Sequence, residues 1–151
     1  MRNGAEVAYN IFMRTYVRFA AAWLLTAGLA AIAGPPPSER FAGTWEAKAK
    51  GTVFLVLKIK AGEKISGSMK SGPVRMDEKG ELLEVGPPED MENPIFFAQV
   101  EGEKLVFNCQ DEEEDVIQFE LKLTGEDAGE LRIVDKDHPD LKGFAVHRAK
   151  A

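Results

Sequence analysis

From Gly43 onward, apolar and polar residues alternate in short runs separated by breaks rich in glycine, acid and lysine. In residues 43–50, Gly43, Trp45, Ala47 and Ala49 fall on one side and Thr44, Glu46, Lys48 and Lys50 on the other. A period of two marks a half-buried strand. Gly51 interrupts the run and residues 52–60 resume it, with Val53, Leu55, Leu57 and Ile59 directed inward. On that parity Phe54 and Val56 face outward, ahead of Lys58 and Lys60, as an exposed apolar pair. Residues 64–70 return with Ile65, Gly67 and Met69 inward. A glycine inside a strand predicts a bend or bulge, which a sheet needs in order to close.

The middle of the chain is less regular. Residues 71–80 are polar, with Val74 and Met76 as a candidate short strand, and 81–85 form another. Residues 86–90, Gly-Pro-Pro-Glu-Asp, read as a loop. Residues 95–100 predict a strand with Phe96 and Phe97 on opposite faces. In 104–110, Leu105, Phe107 and Cys109 share a face, and an acidic loop follows at 111–115. Residues 116–123 direct Ile117, Phe119, Leu121 and Leu123 inward, 125–129 read as a turn, and 130–135 carry Leu131 and Ile133 on one side. The last run, 141–148, sets Phe144, Val146 and Arg148 on one face. No helical period follows residue 34. About eight or nine short strands joined by tight turns predict an all-β fold, an antiparallel up-and-down barrel or a sandwich.

The first third has a different character. An apolar run from Phe19 to Ala33 follows Arg14 and Arg18 and ends in Ala31-Ile32-Ala33. Small residues at alternate positions suit signal peptidase, so residues 1–33 read as a signal peptide cleaved before Gly34. A start at Met13 gives a signal of more ordinary length. The run of about 15 apolar residues is short of the roughly 20 that span a bilayer, and Pro35-Pro36-Pro37 ends any helix there. The expected product therefore keeps no stable membrane anchor. No cysteine follows the signal and no two arginines are adjacent, which excludes lipoprotein and twin-arginine export. The expectation is Sec-type export to a periplasm or the exterior, with residues 34–40 a proline-rich linker and 41–151 the folded domain.

Charge narrows the partners. The first 33 residues hold three arginines and one acid, so the other 118 carry 16 of the 19 basic and 24 of the 25 acidic residues, a net charge of −8. An acidic surface repels nucleic acid, and no nucleic-acid partner is expected. Cys109 is the single cysteine. An exported domain without an internal disulfide must rest on its core.

Candidate chemistry is sparse. His138 falls in a turn and His147 on the face opposite Arg148, neither beside a nucleophile motif. Cys109 shares its face with Leu105 and Phe107 and has acidic neighbours, the setting of a buried, inert thiol. Residues 111–115 and Asp135, Asp137 and Asp140 concentrate carboxylates without the spacing of a calcium loop, and no zinc spacing is present. No catalytic residue, metal site or cofactor is expected, and the chain does not read as an enzyme.

Gly43-Thr44-Trp45, opening the first strand, resembles the signature of the calycins: lipocalins, fatty-acid-binding proteins and avidins. The resemblance implies an eight-stranded antiparallel barrel in which Trp45 packs at the closed end and a basic residue of the last strand, here Arg148, lies across it. The whole pattern from Gly43 to Arg148 is also similar to small exported bacterial β-domains of unassigned role. The chain departs from the lipocalins in lacking their disulfides and flanking helix, and from fatty-acid-binding proteins in lacking a helical lid. With Trp45 the one tryptophan left after cleavage, biotin is not an expected ligand. An apolar interior gives Ala47, Ala49, Leu55, Leu57, Met69, Phe107, Phe119, Leu121 and Phe144 as candidate linings for a small hydrophobic ligand. The alternative is a filled barrel serving as a structural or protein-interaction domain, with a protein partner at Phe54 and Val56 or around Phe96 and Phe97.

Overall fold

The computed structural model describes residues 36–111 and 113–150. The signal assigned to residues 1–33, with its alternative start at Met13, lies outside them. A short 3-10 helix, Pro37–Phe41, leads into ten strands. These are β1 (Gly43–Ala49), β2 (Thr52–Lys60), β3 (Ser66–Ser71), β4 (Val74–Met76), β5 (Leu82–Val85), β6 (Asn93–Glu101), β7 (Lys104–Gln110), β8 (Val116–Leu123), β9 (Ala128–Val134) and β10 (Phe144–Arg148).

Eight of them close an antiparallel barrel in the order β1-β10-β9-β8-β7-β6-β3-β2. First and last strands meet through Trp45↔Arg148, Glu46↔His147 and Ala47↔Val146. The joint between β3 and β6 is the weakest, with only Ser68↔Pro94 and Met69↔Asn93 paired. β4 and β5 pair only with each other, as a two-stranded hairpin outside the barrel's ladder.

Where the strands alternate cleanly, the barrel follows the period-two pattern. Trp45, Ala47, Leu57, Leu105, Phe107, Leu121, Leu131 and Val146 are fully buried. Leu105↔Leu121↔Leu131↔Phe144 form one band of paired positions round the wall, and Phe107 stacks on Phe119 with ring centres 5.5 Å apart. Among the described residues, no polar or charged side chain is buried.

Four local expectations are corrected. Phe54 does not face solvent: it is 1% exposed. The pairing jumps from Ala47↔Leu55 to Lys48↔Val53, leaving Phe54 as the extra residue of a β-bulge. Phe54 and Leu55 therefore both turn inward, while Val53, expected inside, is only half-buried. Phe54 packs edge-on against Phe144, centroids 5.6 Å apart. Gly67 marks no bulge, since β2 and β3 pair without a shift; a Cβ there would collide with the Lys58 carbonyl oxygen. Ala128 and Gly129, read as turn, begin β9. Within the expected linker 34–40, residues 37–40 belong to the 3-10 helix that runs into Phe41, the first residue of the expected domain, which is fully buried.

A second bulge lies in β6, where pairing passes from Phe96↔Asn108 to Gln99↔Val106. Phe97 sits there with φ 49° and is 82% exposed. On the outer face, Glu120 takes Arg132 at 2.8 Å and Lys104 at 3.4 Å. Burial pushes the Glu120 carboxyl up, but the two cations outweigh it and hold it below its ordinary 4.5. A depressed carboxylate stabilises the fold above its unfolded pKa, and that stability goes as pH falls through the folded value. In urea titrations the parent should lose on the order of 1 kcal/mol below about pH 4.5. The Glu120→Gln variant should lose correspondingly less over the same window.

Candidate functional site

The barrel has two different ends. At the end where the chain enters and leaves, the indole of Trp45 donates through Nε1 to the Phe41 carbonyl at 2.9 Å. The Arg148 guanidinium carbon stands 4.3 Å from the centre of the Trp45 ring. A guanidinium over an indole contributes about 0.5–2 kcal/mol. The rest of Arg148's fork binds the chain around it. It donates to the carbonyls of Ala42, Arg40 (3.0 Å) and Glu126 (3.3 Å) and to the Asp127 carboxylate at 3.1 Å. Gly43 makes room for it. Its φ of +127° is one that side chains rarely adopt, and a Cβ there would lie 2.7 Å from Arg148 Nη1. Arg40 donates to the Gly102 carbonyl at 2.9 Å, tying the 3-10 helix to the β6–β7 turn.

The opposite end carries a cavity of about 260 Å3. Its wall is apolar: Phe54, Leu55, Met69, Val74, Met76, Cys109, Ile117, Phe119, Ile133 and Phe144. Ser71, Asn93, Gln110 and Asp111 supply the polar side chains around it. Four of the nine candidate linings are here: Leu55, Met69, Phe119 and Phe144. Ala47, Leu57, Phe107 and Leu121 are instead fully buried in the packed core, and Ala49 is half-buried beside it.

No known family model, curated protein or solved structure gives a significant match to this chain.

The site therefore stands on its own geometry. Sequence reasoning missed Phe54, brought inside by the bulge, and Val74 and Met76, contributed by the hairpin. It identified Ile117 and Ile133 as inward-facing without assigning them to a site. Cys109 is 3% exposed, with its thiol 3.7 Å from the Gln110 carbonyl oxygen. Burial pushes its pKa up, with the Asp111 carboxylate adding to the shift, so the thiol stays protonated near neutrality. A protonated thiol is a poor nucleophile, and this one serves as apolar lining.

The histidines and the carboxylates of Asp135, Asp137 and Asp140 are not part of the cavity wall, whereas Asp111, the first residue of the other acidic run, borders it. His138 Nδ1 is 3.1 Å from Asp135 Oδ2 on the surface, and His147 is exposed. Asp111 Oδ1 accepts from the amides of Glu113 (2.9 Å) and Asp115 (2.8 Å), folding the β7–β8 loop on itself. Among the described residues, no group of three His, Cys, Asp or Glu side chains is arranged to hold a metal ion.

Proposed function

We propose that this chain is an exported binding protein of calycin-like design that holds a small apolar molecule at the end of the barrel away from Trp45. The observation that carries the reading is the apolar cavity itself, framed by Phe54, Met69, Phe119 and Phe144 in a barrel whose other half is solid. Calycin-like design rests on Gly43, Trp45 and Arg148 at the closed end; export rests on the residue pattern preceding Gly34.

The volume sets the size of the guest. An apolar cavity of about 150 Å3 accommodates benzene, so 260 Å3 suits about ten non-hydrogen atoms. That lies below the roughly 300–1,000 Å3 of pockets for drug-sized ligands. With about 0.6 kcal/mol per atom, affinity falls in the range of about 10–100 µM. Long-chain lipids are too large to be enclosed.

Naphthalene, with ten carbons, is the test. On titration with the parent protein its fluorescence should change saturably and fit a single site with a Kd of about 10–100 µM. Ile133→Trp, which fills the cavity from β9, should weaken binding at least tenfold while melting stays near the parent's. Absence of saturable binding to the folded parent would overturn the reading. A second reading, contact with a protein partner, is favoured by Phe97, which is 82% exposed beside Phe96 on β6. Phe54, offered by the sequence for the same role, is buried and takes no part.

A further inference from the structure

The β4–β5 hairpin is built apart from the wall it helps to form. Gly72-Pro73 precedes it and Gly86-Pro87 follows it. Neither proline has an N–H to donate, so each arm lacks a ladder hydrogen bond where it leaves the barrel. The two Gly-Pro steps cross at the base. The Gly86 amide donates to the Pro73 carbonyl at 2.9 Å, and a Cβ on Gly72 would meet the carbonyl oxygen of Gly86 at 2.2 Å. Beyond that base the hairpin holds itself together. Arg75 and Glu84 pair across it at 3.1 Å, and Asp77 Oδ1 accepts from the amides of Lys79 and Glu81, each at 2.9 Å.

Its placement is that of a cover. The base lies at the joint between β3 and β6, the barrel's shortest ladder. The tip reaches the β9–β10 connection: the Lys142 amide donates to the Lys79 carbonyl at 3.2 Å, and Lys142 Nζ meets Glu81 at 2.8 Å. Around the ring of eight strands, the β9–β10 joint is four strands from the β3–β6 joint in either direction, directly across the mouth. An eight-stranded barrel is roughly 16 Å across, and a hairpin arm of six or seven residues reaches about 20 Å. Lys50, in the β1–β2 turn, adds a third point by donating to the Leu83 carbonyl at 2.6 Å. Val74 and Met76 of the hairpin face the cavity.

We infer that the β4–β5 hairpin is a hinged cover for the apolar cavity, pivoting on the crossed Gly-Pro steps and latched at its tip by Lys142 and Glu81. The inference rests on the binding reading for its purpose but not for its motion. The latch is an exposed ion pair, weak enough to open often and screened by salt. The apolar undersides of Met76, Leu82 and Val85, packed against the core, return the cover to its seat.

Charge reversal of the full chain tests it. Glu81→Lys and Lys142→Glu each replace attraction by repulsion, and the double variant restores attraction with the partners exchanged. Neither residue lines the cavity. In stopped-flow mixing with naphthalene, each single reversal should raise the association and dissociation rates together, about two- to fivefold, and the double variant should return both towards the parent. Hydrogen exchange without ligand should quicken at the amides of residues 74–85 in the single variants only, with the barrel strands unchanged. Equal rates and equal exchange in all four proteins would overturn the cover while leaving the cavity as a binding site. If naphthalene bound none of them, the binding reading would fall, and exchange alone would still decide whether the hairpin swings.

Discussion

Trp45→Ala should lower the free energy of unfolding by about 3–5 kcal/mol, the largest loss expected from any single truncation at the closed end. The residue is fully buried. Its removal leaves the Phe41 carbonyl without its indole donor and takes away the surface on which Arg148 lies. In a barrel of this size the loss corresponds to a melting point about 10–25 °C lower. Arg148→Ala should cost less, about 1–3 kcal/mol, because water can replace part of what its guanidinium gives the surrounding carbonyls. Arg148→Lys should fall between, since an ammonium keeps the charge without the planar fork that stacks on the indole. Melting followed by circular dichroism avoids dependence on the lost tryptophan. If both alanine variants melted like the parent, the closed end would not be the structural anchor described here.

Phe54→Lys should be at least as damaging, about 4–6 kcal/mol, a large fraction of the roughly 5–15 kcal/mol that holds a domain folded. A Phe side chain that is 1% exposed loses its packing against Phe144. The lysine that replaces it must either bury an unpaired charge or force the bulge open. Val56→Lys is the control. Val56 is half-buried on the outer face of β2, between Glu46 and Lys70, and the change should stay within about 1 kcal/mol. Equal urea midpoints for the two lysine variants would show that Phe54 faces solvent and that the bulge between Ala47 and Lys48 does not form.

The contrast between these residues explains how far the fold was legible in the sequence. In β8, Gln118, Glu120 and Lys122 separate Ile117, Phe119, Leu121 and Leu123, so one parity alone buries the apolar set. β2 offers no such choice, because Val53, Phe54, Leu55, Val56 and Leu57 are apolar without interruption. Either face could be inside, and the pairing with β1 decides. The same holds at Phe96 and Phe97, where a bulge against β7 turns one ring out to water.

The cavity was legible only in part, for a different reason. Alternation tells which side chains point inward but not how far along the barrel each one sits. Leu121 and Phe119 share a face of β8, yet Leu121 lies in the solid half and Phe119 on the cavity wall. That depth depends on the stagger of every neighbouring strand. Val74 and Met76 were harder still, because their place depends on a hairpin folding back across the mouth. Gly43, Trp45 and Arg148 meet through the pairing of the first and last strands, which depends on strand order and not on depth along the barrel.

That pairing also orders events in time. A chain made from its N-terminus produces β1 first and must wait for β10, its neighbour on one side, until nearly the whole domain exists. Hairpins such as β7–β8 and β8–β9 can form as they emerge, since their partners are adjacent in sequence. Until the five residues of β10 arrive, one edge of β1 and one of β9 stay open, and Trp45 has no guanidinium over it. The domain is complete only with its last strand, so a chain stopped before Phe144 is an open sheet with two unpaired edges, the form most prone to join other chains.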